Sequence, residues 1–345
     1  MLNIGGNKKK AYLGNNSLSM AHLGDVLVYS KTGPFIATYQ IDDIAEPLTL
    51  PVTKDYEVDW GDNVTTTTGK QHFYSTTGVK TVKMFGVVDD FVFPFSDTNP
   101  NSRKITSITN WGGLVLGSGT GELNWCRNLL TAPNNYNNTS SVSWGNVFRF
   151  CDNLNHDFTN FSNVPVINLS SAFLSNKELR NQDLSFLDTS NCVRFTNCFN
   201  SSNYNVDSSW IDTSNAVFFE GVFSSNSLFN QSLNHLDTSK VEGFSNTFQN
   251  ATSFNQDVSS WDYSTAKTVS NFMAGKSPAN YDYQYYDNLL IKWASGAANG
   301  GLDFTKLTVL TTNFGTIQYS SAGAAAHDSL VAQGLIITDG GQNAF

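Results

Sequence analysis

The chain has 345 residues, a formal net charge of −9 and a sequence pI near 4.9, a balance that argues against nucleic acid or an anionic membrane as its main partner. Only 14% of the residues are charged, whereas 40% are hydrophobic and 13% aromatic, so there is enough apolar material for a large core and disorder is excluded. The length calls for two or more domains or for one elongated array.

No apolar signal core follows Met1: Lys8-Lys9-Lys10 leads into a mixed stretch with Asn15, Asn16 and His22. No run of about 18 apolar residues occurs either. The expectation is a chain made in a cytoplasm, without membrane insertion and without the usual export route. Ala11-Tyr12-Leu13-Gly14 recurs as Ala21-His22-Leu23-Gly24, followed by Asp25-Val26-Leu27-Val28-Tyr29. Two short β-rich segments, each closed by Gly, predict a small hairpin module over residues 1–33, which needs a neighbouring subunit or partner protein for stability. This stretch resembles the N-terminal module of phage and prophage tail-fibre or receptor-binding proteins. The resemblance implies attachment to other tail proteins of a virion.

Residues 34–90 read as strands with turns. Phe35-Ile36-Ala37-Thr38-Tyr39, Tyr56-Glu57-Val58-Asp59-Trp60 and Lys80-Thr81-Val82-Lys83-Met84 alternate at period two, with turns at Gly61-Asp62-Asn63 and Thr76-Thr77-Gly78. Val58-Asp59-Trp60-Gly61-Asp62, then His72-Phe73-Tyr74 and Gly78, resemble a PKD-type immunoglobulin-like β-sandwich, which implies a spacer without chemistry. Trp60 is then core and Asp62 organises its turn. His72, beside a buried aromatic, is read as structural rather than as a metal ligand.

Residues 91–280 carry a repeat with a period of about 25 residues, the sign of a stacked array. Residues 97–102 are a turn-rich linker, and Ile105-Thr106-Ser107-Ile108, Leu123 and Trp125 are assigned to atypical first coils. Asn138-Thr139-Ser140 matches a glycosylation sequon, taken as chance in a chain that is not exported. Farther on, Phe148, Phe173, Phe199, Phe223, Phe248 and Met273 form one column, and Leu154, Leu179, Tyr204, Phe229 and Phe254 a second whose every step is 25. Large apolar residues recurring once per coil are expected to stack as a continuous core. Asn146, Asn197, Asn246 and Asn271 share a phase with Ser171 and Gly221, and are read as an inward ladder of amides. Asp188, Asp212, Asp237 and Asp262 are read as corner turns that cap backbone N–H groups, with a calcium or catalytic groove as the alternative. Alternation over Val193–Phe199 places Phe195, Asn197 and Phe199 inward and Arg194, Thr196 and Cys198 outward. Phe254-Asn255-Gln256-Asp257-Val258-Ser259-Ser260-Trp261-Asp262 closely resembles the BspA-like leucine-rich repeat of bacterial surface proteins and phage-encoded proteins. That resemblance implies a leucine-rich-repeat solenoid.

Beyond Met273 the period ends. A helix around Tyr285–Ala294, a second around Ala324–Gln333 and a strand Leu335-Ile336-Ile337-Thr338 predict an α/β cap over 281–345, since an open array end would expose core and strand edge. The expected fold class is thus mainly β: hairpin module, sandwich, solenoid and α/β cap.

Among the four cysteines, Cys126 and Cys151 are one repeat apart, as reduced core thiols or as a disulfide; Cys192 and Cys198 lack a zinc spacing. The five His residues (His22, His72, His156, His235, His327) are scattered, and no hydrolase, metalloprotease, P-loop or dinucleotide motif occurs. Neither cofactor, metal nor catalytic residue is expected. The reading is a phage or prophage tail receptor-binding protein on the virion, recognising a glycan or protein on the host surface without catalysis. Regular residues serve folding, so recognition is assigned to outward positions: Arg194, Phe218, Glu220, Val222 and Phe272. A bacterial surface adhesin of the same repeat class and a polysaccharide-cleaving tailspike, which needs a carboxylate pair, are the alternatives. Fibre proteins of this class are often trimers, whereas a capped array can stand alone.

Overall fold

The computed structural model describes residues 33–66, 69–94, 96, 99–117, 121–133, 136, 142–155, 158, 161 and 163–343, and the backbone of 20–23 and 26–29. Strands β1 (Met20–Leu23) and β2 (Val26–Tyr29) pair antiparallel, whereas the first half-repeat at 11–14 and the sequon at 138–140 lie outside the described residues.

Next come β3 (Phe35–Ile41), β4 (Leu48–Thr49), β5 (Glu57–Asp59), β6 (Thr65–Thr66), β7 (Gln71–His72), β8 (Gly78–Phe85), helix α1 (Pro100–Lys104) and β9 (Ile105–Asn110). Five of the strands form one antiparallel sheet in the order β6-β5-β8-β3-β9, and β4 and β7 form a second pair. β3 lies between β8 and β9 and alternates strictly: Phe35, Ala37, Tyr39 and Ile41 are buried while the residues between them are partly exposed. Trp60 is buried, stacks on His72 at 5.1 Å, and its backbone carbonyl accepts from the Tyr74 hydroxyl at 2.8 Å. His72 is held by Asp62 at 2.7 Å, so its role here is structural.

Residues 105–108, expected in a first repeat coil, instead form edge strand β9 of this sheet, paired to β3. On its far side β9 bonds to the repeat region, with the Ile108 amide donating to the Thr131 carbonyl and the Leu130 amide to that of Thr106. Sheet and repeats therefore share one hydrophobic core that runs from Phe35 to Leu335.

The repeats stack as tiers. Rings of the first column lie 6.0 Å (Phe148–Phe173), 5.8 Å (Phe173–Phe199), 5.7 Å (Phe199–Phe223) and 6.0 Å (Phe223–Phe248) apart. The second column packs beside the first, with Phe223–Phe229 and Phe248–Phe254 both at 3.9 Å. These rings are fully buried. Between tiers, every second amide bonds to the next tier: Phe195 to Phe218, Asn197 to Glu220, Phe199 to Val222 and Ser201 to Ser224. Intervening amides turn back within the tier, as Cys198 to Phe195 and Asn200 to Asn197 do.

That alternation comes from two left-handed residues per tier. One position holds Asn146, Ser171, Asn197, Gly221, Asn246 and Asn271, at φ between 53° and 64°; four residues on, Ser175, Ser201, Ser225, Asn250 and Gly275 repeat the conformation. The column expected as an inward amide ladder is therefore a left-handed backbone position, for which Asn and Gly are the tolerant residues. An amide ladder does exist, on Asn205 and on the Asn of the two Asn-Gln pairs that follow it, Asn230-Gln231 and Asn255-Gln256. Asn205 Oδ1 accepts from the Asn230 amide at 2.9 Å, Asn230 Oδ1 from Asn255 at 2.8 Å, and Asn255 Oδ1 from Asp282 at 2.8 Å.

The expectation of a mainly-β chain built on a leucine-rich-repeat solenoid is corrected. Tiers meet through chains of turns and single parallel bridges such as Arg194 to Phe218 and Phe218 to Gly243. Among the described residues of the tiers, β10 (Val142–Ser143), β11 (Val164–Asn168) and β12 (Leu187–Asp188) are the strands. With 19% strand and 13% helix, the fold is a mixture of small sheets, turns and helices, and among the described residues no strand set closes into a solenoid. Left-handed residues twice per tier interrupt the extended backbone that a continuous ladder of strands requires.

The C-terminal block consists of α2 (Tyr283–Ala294), β13 (Thr311–Asn313), α3 (Ser321–Ala332) and β14 (Ile336–Thr338), with β13 and β14 parallel. Asp282 and Ser320 cap the helices by accepting from Gln284 and Ala322. Buried Trp293 of α2 packs on Tyr263, Phe272 and Phe314, while the Met273 amide bonds to the Asn313 carbonyl, so the last tier is covered.

Gly221, at φ 64°, offers a direct test of the turn ladder: a Cβ there would sit 2.3 Å from Asn197 Oδ1. Gly221→Ala is expected to lower unfolding free energy in urea by about 2 kcal/mol, since the left-handed backbone and the clash add. Asn246→Gly at the same position, φ 60°, changes it by no more than about 0.5 kcal/mol. Equal losses in the two variants would show that the left-handed column is not what selects these residues.

Candidate functional site

Three of the five outward residues come together. Arg194 and Phe218 sit on consecutive bridges, Asn168–Arg194–Phe218–Gly243–Thr268, and the Arg194 guanidinium carbon lies 4.1 Å from the centre of the Phe218 ring. Glu220 accepts from the Thr196 hydroxyl at 3.1 Å, and its carboxylate lies across Gly243, where any side chain would collide with it. Arg194 is exposed and Phe218 and Glu220 are partly so. Alongside runs a second outward row, Ile167, Val193, Val217, Glu242 and Lys267, joined amide to carbonyl, with Glu242 and Lys267 paired at 2.7 Å. Apolar, cationic and anionic groups thus share one face held by the tiers.

Val222 and Phe272 are corrected: they are 1% and 0% exposed and lie in the core. Burial in each tier follows the spacing i, i+3, i+4, i+7, as in Phe195, Cys198, Phe199 and Ser202, or Phe219, Val222, Phe223 and Asn226. Alternation does not describe a run of turns. Val222 and Phe272 share their column with buried Cys198.

A second cluster escaped sequence reasoning. At the left-handed position that later tiers give to Ser, Asn or Gly, the first two tiers carry Trp125 (φ 64°) and Phe150 (φ 57°). Bulky residues held in this conformation cost roughly 1–3 kcal/mol each. Their rings stack at 4.0 Å, and the guanidinium carbons of Arg127 and Arg149 lie within 5.7 Å of both. Arg127 pairs with Asp152 at 2.7 Å, whereas Arg149 has no carboxylate partner among the described residues. Burial alone pulls the Arg149 guanidinium below its ordinary value. Trp125 Nε1, Arg127 Nε and Asp152 Oδ1 are buried without a hydrogen-bond partner. The available signal in the sequence was aromatic residues where the column otherwise holds small polar ones.

The regular Asp residues are corner turns. Asp188, Asp212, Asp237 and Asp262 each accept from the amide of the Ser two residues on, at 2.8–3.1 Å. Thr in the same motif ties tiers together, as Thr213 donates to the Asp237 carbonyl and Thr238 to that of Asp262. Cys126, Cys151, Cys192 and Cys198 are buried free thiols, so the Cys126–Cys151 pair is not a disulfide. Burial pushes every one of these thiols up, Cys192 to about 12. Among the described residues no group of three or more His, Cys, Asp or Glu is placed to hold a metal, and no helix is long and apolar enough to cross a membrane.

With this geometry in hand, the chain matches a family model described as "Mycoplasma protein of unknown function, DUF285", over residues 122–210 and 167–286. The matched part begins at the first tier and ends in α2. No curated protein and no solved structure matches the chain.

Proposed function

We propose that the chain is a receptor-binding protein of a phage or prophage tail that holds a host-surface glycan or protein without catalysis. The observation that carries this reading is the patch of Arg194, Phe218 and Glu220 on a rigid stack of tiers, where a cation on an aromatic ring lies beside a carboxylate. Aromatic and Arg groups supported by a fixed scaffold are the usual anchors of a binding surface. Support for the virion setting comes from the resemblance of the N-terminal residues to tail-fibre modules, which would dock on other tail proteins. The family described for Mycoplasma shares the tier region, where the repeats resemble bacterial surface proteins.

The test is binding of purified, labelled protein to candidate host cells, with the double variant Arg194→Ala/Phe218→Ala beside it. Wild type is expected to bind, and the variant to lose at least tenfold in affinity, about 1.4 kcal/mol or more. Undiminished binding by the variant would move recognition away from this patch. Shortening of the cell polysaccharide would overturn the non-catalytic reading in favour of a tailspike, and finding the protein in an exported bacterial fraction would favour an adhesin.

A further inference from the structure

We infer that the Trp125–Phe150–Arg149 cluster is a second binding site, for an acidic saccharide, at the opposite end of the tiers from the α-helical block. The strain carries the argument first. Two bulky aromatics occupy backbone positions where five later tiers place Ser175, Ser201, Ser225, Asn250 and Gly275. Folding alone is served by the small residues, so the rings are kept against a local preference. Charge carries it further. The chain has 29 acidic residues and only 20 basic ones, yet the described residues set no carboxylate against the half-buried Arg149 guanidinium. Its neighbour Arg127, beside the same two rings, has Asp152.

The chemistry of the frame selects the ligand. A guanidinium fork binds a carboxylate through two parallel N–H bonds, and its binding strengthens where water is partly excluded. Aromatic rings offer apolar surface to the C–H face of a sugar. Trp125 Nε1, Arg127 Nε and Asp152 Oδ1 have no partner but also no exposed surface, so the groups open to a ligand are the Arg149 guanidinium and the two rings. A sugar acid meets both demands, whereas a neutral sugar leaves Arg149 uncompensated. Phosphate on a polyol would share only the first, and serves as the second arm of the test.

This site rests on the receptor-binding reading for its biological role, and its chemistry is tested apart from it. The full-length protein is titrated by calorimetry with a hexuronic-acid oligosaccharide, a neutral oligosaccharide of equal length and poly(glycerol phosphate). Binding of the uronic acid oligosaccharide is expected, at least tenfold tighter than the neutral one and weaker as salt rises. Arg149→Gln abolishes the preference, Arg149→Lys keeps only part of it, and Lys54→Ala, which removes an exposed charge from the N-terminal sheet region, leaves it unchanged; circular dichroism and thermal melts confirm that each variant is folded. Equal binding of the neutral sugar, wild-type binding by folded Arg149→Gln, or no binding of any probe would overturn the site, and preference for the phosphate polymer would overturn the sugar acid. Cell binding retained by Arg149→Gln but lost in Arg194→Ala/Phe218→Ala would sink this site while sparing the receptor reading. Uronic acid binding without cell binding would do the reverse.

Discussion

Phe223→Ala is expected to lower the unfolding free energy by about 4 kcal/mol, the largest loss of any single substitution considered in the tiers. Phe223 is fully buried and touches rings on three sides: Phe199 at 5.7 Å, Phe248 at 6.0 Å and Phe229 at 3.9 Å. Truncation leaves a ring-sized void lined by other rings, and close tier-to-tier hydrogen bonding limits how far they can collapse into it. Phe218→Ala is the matched control. Its ring sits on the outward face under Arg194, so its loss is expected to cost under about 1 kcal/mol. Urea denaturation followed by tryptophan fluorescence measures both. A Phe223→Ala loss no greater than the control would mean that the columns do not hold the tiers together.

The aromatic columns were legible in the sequence because a fixed spacing of large apolar residues has one physical reading, stacking along an axis. Asp corners were legible for a similar reason, since Asp followed by Thr or Tyr and then Ser supplies a carboxylate two residues before a free amide. What misled was the backbone between them. Phe195, Asn197 and Phe199 alternate as a strand does, but alternating right- and left-handed turns give neighbouring amides opposite directions as well. The two differ in where the third residue goes: Cys198, outward in a strand, is buried here, and Val222 and Phe272 follow it inward. Asn at positions 146, 197, 246 and 271 fits both an amide ladder and a left-handed turn, and the Ser and Gly in its column were the clue to the second. Of the outward residues, Arg194, Phe218 and Glu220 were found because all frames place them on the surface. The Trp125–Phe150 pair keeps the period, and its signal was the residue type: aromatics where the later tiers hold Ser, Asn or Gly.

The stability of the protein relative to its Lys276→Met variant is expected to rise by about 1–2 kcal/mol between pH 7 and 8.5. Lys276 lies at the end of a buried column of small or polar residues, Cys151, Asn176, Ser202, Asn226 and Ala251, and is itself 1% exposed. Its ammonium donates to the carbonyls of Ala251 and Phe254 and lies 5.7 Å and 5.8 Å from the rings of Phe254 and Tyr281, but no carboxylate faces it among the described residues. Burial pulls its pKa down from 10.5 to about 7. Between those values the unfolded chain binds a proton that the folded chain does not, so stability climbs with pH; below about 7 both forms are protonated and the penalty is constant. The carbonyls and rings favour the charged form and offset part of the burial cost, which is why the expected rise is smaller than the shift alone would give. Unfolded thiols ionise from about pH 7.5 upward while the four buried ones do not, which lowers the stability of both proteins alike and cancels in the comparison. Buried Tyr263, Tyr281 and Tyr286, all raised, extend the decline beyond about pH 10. Met fills the space of the lysine stem without the charge, so Lys276→Met should be about 1–3 kcal/mol more stable than wild type at pH 7, and that advantage should shrink toward pH 8.5. Urea midpoints of the two proteins at pH 6.5, 7.5 and 8.5 measure this. Parallel profiles would show that the lysine is solvated in the folded protein and that the last tier is open to water where the helices cover it.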